Sequence, residues 1–360
     1  WTGQMFVDGG VVTIEPGAVV QLPADPEPWN DYMALRLRTG GQILAEGSPE
    51  DPIRIGGVSD LQRGGTVVLA STAVSVFRHC RFSDLSALRF DAVSPPPEHV
   101  FEHCVFRKFS DNVIWLRNMP ARIQHCIFQD NAAFGVHLYF DQLHEDNAPT
   151  IWHNGFDADG LLISTTDTGD HSLGNHEFFR YNRVAAGVGI KLVPHSSWSG
   201  VTIGNLRVVD CDLGGCTNSV RLEGNQFLGA MTITRCDLST LGGTHASING
   251  VQSYRDNFWG STDTNVIAGR LLGGTVDPAA AVPLATYSRF PQADVDRSGG
   301  ATPTTLADAD LVKAYLVGAT SLSVAQLEAA AAARSGTVDV RDVLLIESFA
   351  RGLVPALPAP

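Results

Sequence analysis

The chain has 360 residues, 44% of them hydrophobic, and a formal net charge of −13. This length allows one large domain or two smaller ones, and the excess of acidic residues argues against nucleic acid as a partner, because phosphate binding needs a basic surface. No apolar run approaches the roughly 20 residues that a membrane-spanning helix needs.

A five-residue phrase recurs along the chain. It reads RHCRF at 78–82, EHCVF at 102–106 and QHCIF at 124–128. We call its central position the slot; eight slots follow one another at steps of 21 to 29 residues, and a large apolar side chain stands two residues after each. The slot residues are Cys80, Cys104, Cys126, Asn154, Asn182, Cys211, Cys236 and Asn257.

Short segments that alternate inward and outward side chains lie between these phrases, for example Leu88–Phe90, Ile114–Leu116 and Val136–Leu138. Short strands at this period, without a long helical pattern, predict a β-solenoid in which each turn of the chain hydrogen-bonds to the next. The slot residue should point inward, the next residue outward and the apolar residue inward. Asn suits a tight bend there, and Cys fits the same small space as a compact apolar side chain.

The same region resembles the right-handed parallel β-helix of the pectin-lyase-like superfamily. VVTIEPGAVVQL at 11–22 and GGQILAEGSPEDPIRI at 40–55 are similar to the opening turns of exported members, and DNFWGSTDTNVI at 256–267 resembles their closing turn. The resemblance implies an all-β fold, with a right-handed parallel β-helix over residues 1–288 and a separate tail over residues 289–360.

The cysteines allow two interpretations. An even count of six in an exported chain is compatible with disulfides, whereas the repeat favours a ladder of buried thiols. We predict that Cys80, Cys104 and Cys126 are buried, reduced and stacked on adjacent turns. A zinc site shared by Cys80 and His79 is disfavoured, because neighbouring strand residues point to opposite faces.

Four histidines precede the slot in successive turns and should form an outward column: His79, His103, His125 and His153. Imidazoles spaced by one strand separation could bind a metal ion, or they could repel one another when protonated near pH 6. A third interpretation is a surface stripe left by duplication of the repeat.

The outward positions of the second set of segments carry aromatic and charged side chains. In the superfamily that the sequence resembles, such a face commonly forms a groove that binds polysaccharide, with aromatic rings on sugars and charged groups on uronates. The resemblance therefore implies that the glycan-binding candidates are Trp115, His137, Tyr139, Lys191 and Arg221, with Arg89 beside them.

No catalytic residue is predicted, because the WiDH phrase of pectate lyases and the GHG…RIK series of the hydrolases are missing. TTDTGDH at 165–171 places Asp167, Asp170 and His171 in a predicted loop between turns and offers an alternative site. The expected function is a non-catalytic scaffold or adhesive protein. The alternatives are a polysaccharide lyase or glycoside hydrolase, and a glycan-binding protein without turnover.

The pattern becomes helical after PQADVDRSGG at 291–300. TLADADLVKAYLVG at 305–318 and DVRDVLLIESFARGL at 339–353 both place apolar residues on one face, and the two loop–helix units resemble a dockerin module. This resemblance implies calcium loops. The first would use Asp294, Asp296, Ser298 and Asp308, whereas the second has Ala331 and Ala333 in place of acids, so we expect weak or single Ca²⁺ occupancy.

The two ends of the coil suggest self-assembly. A solenoid has an unpaired turn at each end, and exposed strand edges invite pairing with another chain. The helical tail is a candidate cap, whereas only WTGQMFVDGG precedes the first coil strand. We expect head-to-tail association of copies, the alternative being a monomer whose first residues cover the edge. Because Trp1 rather than Met stands first, as after removal of an export signal, the expected location is extracellular.

Overall fold

The computed structural model describes most of the coil and the two helices of the tail. The described residues are 5–23, 33–57, 64–140, 147–165, 170–172, 178–194, 201–204, 206–222, 227–228, 231–239, 245–246, 257–259, 261, 263, 265–267, 271–272, 304–322, 330, 332 and 338–354. Contacts within the chain separate two compact units, Trp1–Ala285 and Thr286–Pro360. Each unit is treated by itself below.

Thirty short strands and two helices are named in chain order. The strands are β1 (Met5–Asp8), β2 (Val11–Ile14), β3 (Val19–Gln21), β4 (Met33–Arg38), β5 (Gln42–Glu46), β6 (Ile53–Gly56), β7 (Thr66–Leu69), β8 (Val76–Arg78), β9 (Cys80–Ser83), β10 (Leu88–Phe90), β11 (His99–Glu102), β12 (Val105–Arg107), β13 (Ile114–Arg117), β14 (Ala121–Gln124), β15 (Ile127–Gln129), β16 (Val136–Phe140), β17 (Thr150–Trp152), β18 (Gly155–Phe156), β19 (Leu161–Thr165), β20 (Asp170–Ser172), β21 (Phe179–Arg180), β22 (Arg183–Val184), β23 (Val188–Pro194), β24 (Val201–Gly204), β25 (Leu206–Val209), β26 (Asn218–Leu222), β27 (Phe227–Leu228), β28 (Met231–Thr234), β29 (His245–Ala246) and β30 (Leu271–Leu272). The helices are α1 (Leu306–Leu316) and α2 (Val340–Ala350).

The first unit is a parallel β-solenoid, which confirms that prediction. Sheet A joins β1, β4, β7, β10, β13, β16, β19, β23 and β26; sheet B joins β2, β5, β8, β11, β14, β17, β21, β25 and β28; sheet C joins β3, β6, β9, β12, β15, β18 and β22. Neighbouring strands are parallel and in register, as in the pairs β13–β16 and β12–β15. Successive turns therefore add strands to the three sheets in order, although sheet C has seven strands and continues in the last turns only as isolated bridges.

The late turns gain a fourth side. Sheet D, made of β20, β24 and β27, lies between the sheet A and sheet B strands of those turns in chain order. The TTDTGDH segment was predicted as a loop, but Asp170 and His171 belong to β20, so that prediction was wrong for them. Residues 166–169, including Asp167, lie outside the described part.

A left-handed residue makes the bend between sheets B and C. His79, His103, His125 and His153 all precede a slot and have φ of 48°, 55°, 54° and 57°. Polar residues tolerate this region of backbone space better than β-branched ones. The chain thus turns one residue before the slot, and the slot residue begins the sheet C side of the core. His79 was predicted as a strand residue, but it lies in this bend.

The slot residues point into the core as predicted. Cys80 and Phe82 are buried while Arg81 between them is exposed. Where the slot holds Asn, its amide closes the bend: Asn154 Oδ1 accepts from the Cys126 amide at 2.9 Å, and its Nδ2 donates to the Ile123 carbonyl at 2.9 Å. An interior backbone group that a bend would leave unpaired is therefore satisfied.

The thiols are free and buried, which confirms the prediction for the first three slots. All six cysteines are unpaired in disulfides and buried. A hydrogen bond with Cys104 and burial raise the pKa of the Cys80 thiol, and burial raises the pKa of Cys104 well above its ordinary value. Such thiols remain protonated and react slowly.

Stacked phenylalanines fill the interior beside the thiols. Phe82, Phe106, Phe128 and Phe156 follow one another at centroid distances of 5.1, 4.8 and 4.6 Å. This spacing equals the separation of hydrogen-bonded strands, so each ring contacts its copy in the next turn. The core is thus continuous along the axis.

The helices of the second unit are capped alike. Thr305 accepts from the Ala307 amide while Asp308 accepts from the Thr305 amide, and Asp339 and Asp342 repeat this box at the start of α2. The predicted helical segments are therefore confirmed. No helix within the described ranges is long and apolar enough to cross a membrane.

We predict that Phe128→Ala lowers the free energy of unfolding by about 3–5 kcal/mol, because it opens a cavity inside the stack. The matched control is Ile127→Ala, one residue earlier in β15, where the side chain is 45% exposed. That change should cost less than about 0.5 kcal/mol. Urea titration of both variants measures the difference, and equal losses would contradict the assignment of Phe128 to the interior.

Candidate ligand-binding face

The glycan-binding candidates lie on the outer surface of sheet A, which we call the sheet A face. Strand register places Arg89 beside Trp115, and Trp115 beside His137. Tyr139 belongs to the next outward column, between Arg117 and Ser164. The candidates therefore share one surface, as the alternation of the strands predicts.

Trp115 does not present a free ring face. The Arg89 guanidinium carbon lies 4.5 Å from the centroid of the Trp115 ring, and the His137 imidazole stacks on the ring at 5.5 Å with an interplanar angle of 4°. Arg89 and His137 come from the turns on either side of Trp115. Both faces of the indole ring are thus covered. With Arg89 and His137 in these positions, a sugar ring can contact only the edge of the indole.

His137 supports the face and carries no charge near neutral pH. Its side chain is buried, and the Asn112 amide, fixed by accepting from the Phe134 amide, donates to Nδ1 at 3.3 Å. Nε2 then carries the proton and donates to the Ser164 hydroxyl at 2.6 Å. Burial lowers the pKa of His137 to about 4. The ring is therefore a neutral element of the stack at neutral pH.

The ring of Tyr139 lies perpendicular to the stacked rings of Trp115 and His137. Its ring lies 5.7 Å from Trp115 and 6.0 Å from His137, at interplanar angles of 89° and 87°. The Arg117 guanidinium lies 5.7 Å from the Tyr139 centroid. Such perpendicular contacts match the positive edge of one ring to the negative face of another. Arg89, Arg117 and the three rings form one packed group.

Lys191 and Arg221 lie apart from that group. They are neighbours in register, but Leu162 separates His137 from Lys191 along the column. The strand that contains Leu162, β19, was not predicted from the sequence, so the turn between His137 and Lys191 is a finding of the structure. Lys191 is half-buried and Arg221 is exposed. The five candidates thus fall into an aromatic group and a cationic pair.

The sheet A face is basic although the chain is acidic. The nine strands of sheet A contain one acidic residue, Asp8, and their basic residues are Arg36, Arg38, Arg89, Arg117, Lys191 and Arg221. Asp91, just after β10, pairs with Arg89 at 2.8 Å. Arg36, Arg38 and Arg117 were not among the predicted residues of this face, although Arg117 stands two positions after Trp115 in the same strand and alternation could have identified it.

The outer surface of sheet B differs, because its charges compensate one another. Arg78 pairs with Glu46 and with Glu102, and Arg122 Nη2 lies 2.6 Å from Glu98 Oε2. Alternating signs in adjacent turns neutralise this surface locally. Among the described sheets, the strands of sheet A hold the largest excess of basic over acidic residues, six against one, followed by sheet C with four basic residues and no acidic one.

Of the four predicted metal ligands, the structure describes only Asp308. Asp294, Asp296 and Ser298 lie outside the described residues, whereas Asp308 is fully buried and accepts from the Thr305 amide and hydroxyl. Within the ranges that the structure describes, no group of three or more His, Cys, Asp or Glu side chains could hold a metal ion. The metal-binding interpretation of the histidine column therefore gains no support from the described residues.

Comparison with models of protein families, with characterised proteins and with solved structures finds no match for this chain. The parallel β-solenoid rests on the strand register itself. A relationship to a particular β-helix superfamily or to dockerins is a proposal, and so is the function.

We predict that His137 makes the fold sensitive to acid. The folded state holds the pKa of His137 near 4, below its ordinary value of 6.5, so the unfolded chain takes up the proton first as the pH falls. The contribution of neutral His137 to the free energy of unfolding is therefore fully present above about pH 6.5. It falls as the pH approaches 4, by about 3 kcal/mol for a pKa difference of this size.

Urea unfolding between pH 7 and pH 4 measures this contribution. His137→Gln should be less stable at pH 7, because the stack is lost, but its stability should fall by about 3 kcal/mol less on acidification. Gln129→Ala, an exposed change on sheet C, should follow the unaltered protein. If His137→Gln and the unaltered protein lose equal stability, His137 is not buried in its neutral form.

Proposed function

We propose that the protein is a non-catalytic, extracellular β-helix scaffold or adhesive protein that binds acidic polysaccharide along the sheet A face. The observation that carries the proposal is the charge of this face. Six basic residues and one acidic residue occupy the strands of sheet A, in a chain of net charge −13. Such a concentration of one sign attracts an oppositely charged ligand.

The shape of the basic surface favours a linear ligand. Arg36 and Arg38 lie in the second strand of sheet A and Arg221 in the ninth, so the charges extend over about 34 Å at roughly 4.8 Å per turn. A chain of uronate or sulfated sugars laid parallel to the axis meets these charges in succession. Because Trp115 is covered on both faces, we assign sugar contacts to its edge and to Tyr139, with charge pairing as the main attraction.

A polysaccharide-active enzyme is the alternative. A glycoside hydrolase needs a pair of carboxyl groups at the scissile bond, whereas the strands of sheet A hold only Asp8 as an acid. This supports binding over hydrolysis on that face. A lyase would use an Arg or Lys base, and the sheet A face has several. Incubation with polygalacturonate, followed for unsaturated products and new reducing ends, distinguishes turnover from binding.

We predict that Lys191→Ala with Arg221→Ala weakens binding of polygalacturonate by about tenfold, the loss expected for two partly exposed charge contacts. Trp115→Ala should weaken binding as well, because Arg89 loses the ring on which it rests. Isothermal calorimetry at two salt concentrations measures both effects. The binding should weaken with salt, since exposed charges are screened.

Arg81→Ala is the matched control. Arg81 is an exposed arginine on sheet C, and its replacement also removes a positive charge from the surface. It should leave the affinity nearly unchanged, and neutral dextran should not bind. Unchanged affinity of the Lys191 and Arg221 variant, together with loss of binding by Asp167→Ala, would move the site to the 165–171 segment.

We also infer that copies associate end to end through the first turn. Met5, Val7 and Val12 face the core but are only partly buried, whereas Leu35, Leu37 and Ile43 in the next turn are buried. In the described part of the chain no strand lies against the outer edges of β1, β2 and β3. An apolar, unpaired edge of this kind supports heterologous contact between copies.

Light scattering and electron microscopy test the association. We predict particles longer than one subunit, which shorten when Val12→Lys and Val7→Lys place charges at the half-buried positions. Deleting the chain from Ala293 should also stop growth if the tail forms the other half of the joint. Monomers at all concentrations of salt and Ca²⁺ would contradict end-to-end association.

We further propose that the tail is a dockerin-like module. The cap residues Thr305 and Asp308 recur as Asp339 and Asp342 at the same interval, and Lys313 pairs with Glu347, its counterpart 34 residues later. This regular offset supports a duplicated loop–helix unit. Carboxylates at Asp294, Asp296 and Asp308 with Ser298 are the oxygen ligands that Ca²⁺ prefers.

We predict a single weak calcium site in the tail. Titration of the full chain with CaCl₂ by calorimetry should give at most one binding event, and Asp294→Ala with Asp296→Ala should remove it. Ala331→Asp with Ala333→Asp restores acids to the second loop and should add a site. Two tight sites in the unaltered chain would show that the second loop also binds calcium.

A further inference from the structure

Four imidazoles form a continuous stack on the outside of the coil, which we call the imidazole column. The rings of His79, His103, His125 and His153 follow one another at centroid distances of 4.9, 4.9 and 4.9 Å, with interplanar angles of 6°, 10° and 7°. Tyr181 continues the stack at 4.7 Å. The column crosses four turns of the coil.

The backbone fixes this geometry. Each histidine occupies the left-handed position of the bend that joins sheet B to sheet C, and the strands before and after it pair in register with those of the next turn. The backbone positions of the four histidines are therefore spaced by one strand separation. Repelling rings can move apart only by leaving the stacked rotamers, because the ladders on either side hold the backbone in place.

Charge on one ring acts on the next. An imidazole in water titrates near pH 6.5, and two unit charges 4.9 Å apart repel enough to separate successive protonations by about one pH unit at a partly exposed site. Burial lowers the pKa of His103, the charge of His79 lowers it further, and Glu102 opposes both. Adjacent rings thus compete for protons, and their titrations are coupled.

We propose that the imidazole column is an acid-responsive element, whose rings stack as neutral groups at neutral pH and repel one another below about pH 6, which destabilises the B–C bends of these four turns. Positive charges on neighbouring rings of the column then repel each other across centroid distances of 4.9 Å.

Charged side chains of both signs lie beside the column. The residues that flank the column are the last residues of the sheet B strands and the first outward residues of the sheet C strands. They are Arg78, Glu102, Gln124 and Trp152 on sheet B, and Arg81, Val105, Ile127 and Gly155 on sheet C.

Beyond Tyr181, Asp210 and Arg235 occupy the same position of the next two turns and pair with each other, and Arg180 contacts Tyr181. Glu102 is shared with Arg78, and Arg122 Nη1 approaches it at 3.9 Å.

Proton NMR of the histidine rings in the full chain, between pH 8 and pH 5, tests the coupling. We expect the column histidines to titrate over a broadened range, with alternate rings about one pH unit apart. In His103→Asn the neighbours His79 and His125 should titrate higher than before, because one source of repulsion is gone. Asn tolerates the left-handed backbone conformation, so the variant should keep the bend.

Thermal unfolding provides an independent readout. Between pH 7 and pH 5 the unfolding temperature should fall less in the His103→Asn, His125→Asn double variant than in the unaltered chain. Gln129→Asn, a nearby exposed change without a titrating group, should not alter the pH dependence. Four independent titration curves that His103→Asn leaves unchanged would overturn the proposal, and so would an unfolding temperature whose pH dependence is identical in the double variant.

Discussion

Parallel, in-register hydrogen bonding between successive turns is the constraint on which the rest of this structure depends. Because successive turns place corresponding strands one strand separation apart, a residue type that recurs at a fixed place in the repeat becomes a column. Phenylalanines then stack inside the coil, imidazoles stack at the bend, and slot asparagines bond from turn to turn. One rule of backbone pairing thus orders both the core and the surface.

The bend between sheets B and C shows how individual side chains support the in-register pairing of successive turns. The left-handed residue before the slot turns the chain sharply, and the slot side chain then satisfies the backbone of the bend or fills the space beneath it. Asn satisfies the backbone through its amide, whereas Cys fills the space and its thiol also contacts backbone groups of the preceding turn, as Cys104 Sγ does with the Phe77 carbonyl at 3.4 Å. A phrase that could have indicated a metal site or a disulfide is therefore a folding signal, in which His tolerates the strained position and remains outside the core.

The same columns determine what the outer surface can bind. Ion pairs join opposite charges in adjacent turns of sheet B, whereas the strands of sheet A hold more basic than acidic residues, some beside an aromatic group and some apart from it. Within the aromatic group Arg89, Trp115 and His137 stack on one another. Both faces of the Trp115 ring are therefore covered by side chains of the protein itself.

The sequence by itself determined the solenoid, the inward positions of the slot and apolar residues, and the two helices of the tail, because periods of this kind follow from local spacing alone. It also placed Trp115, His137, Tyr139, Lys191 and Arg221 on one face. Only the tertiary structure decided which side chains touch. The intervening turn at Leu162, the burial that keeps His137 neutral, and the cover on both faces of Trp115 depend on neighbours more than twenty residues away in sequence. Register between turns brings such residues together, and no local pattern specifies it.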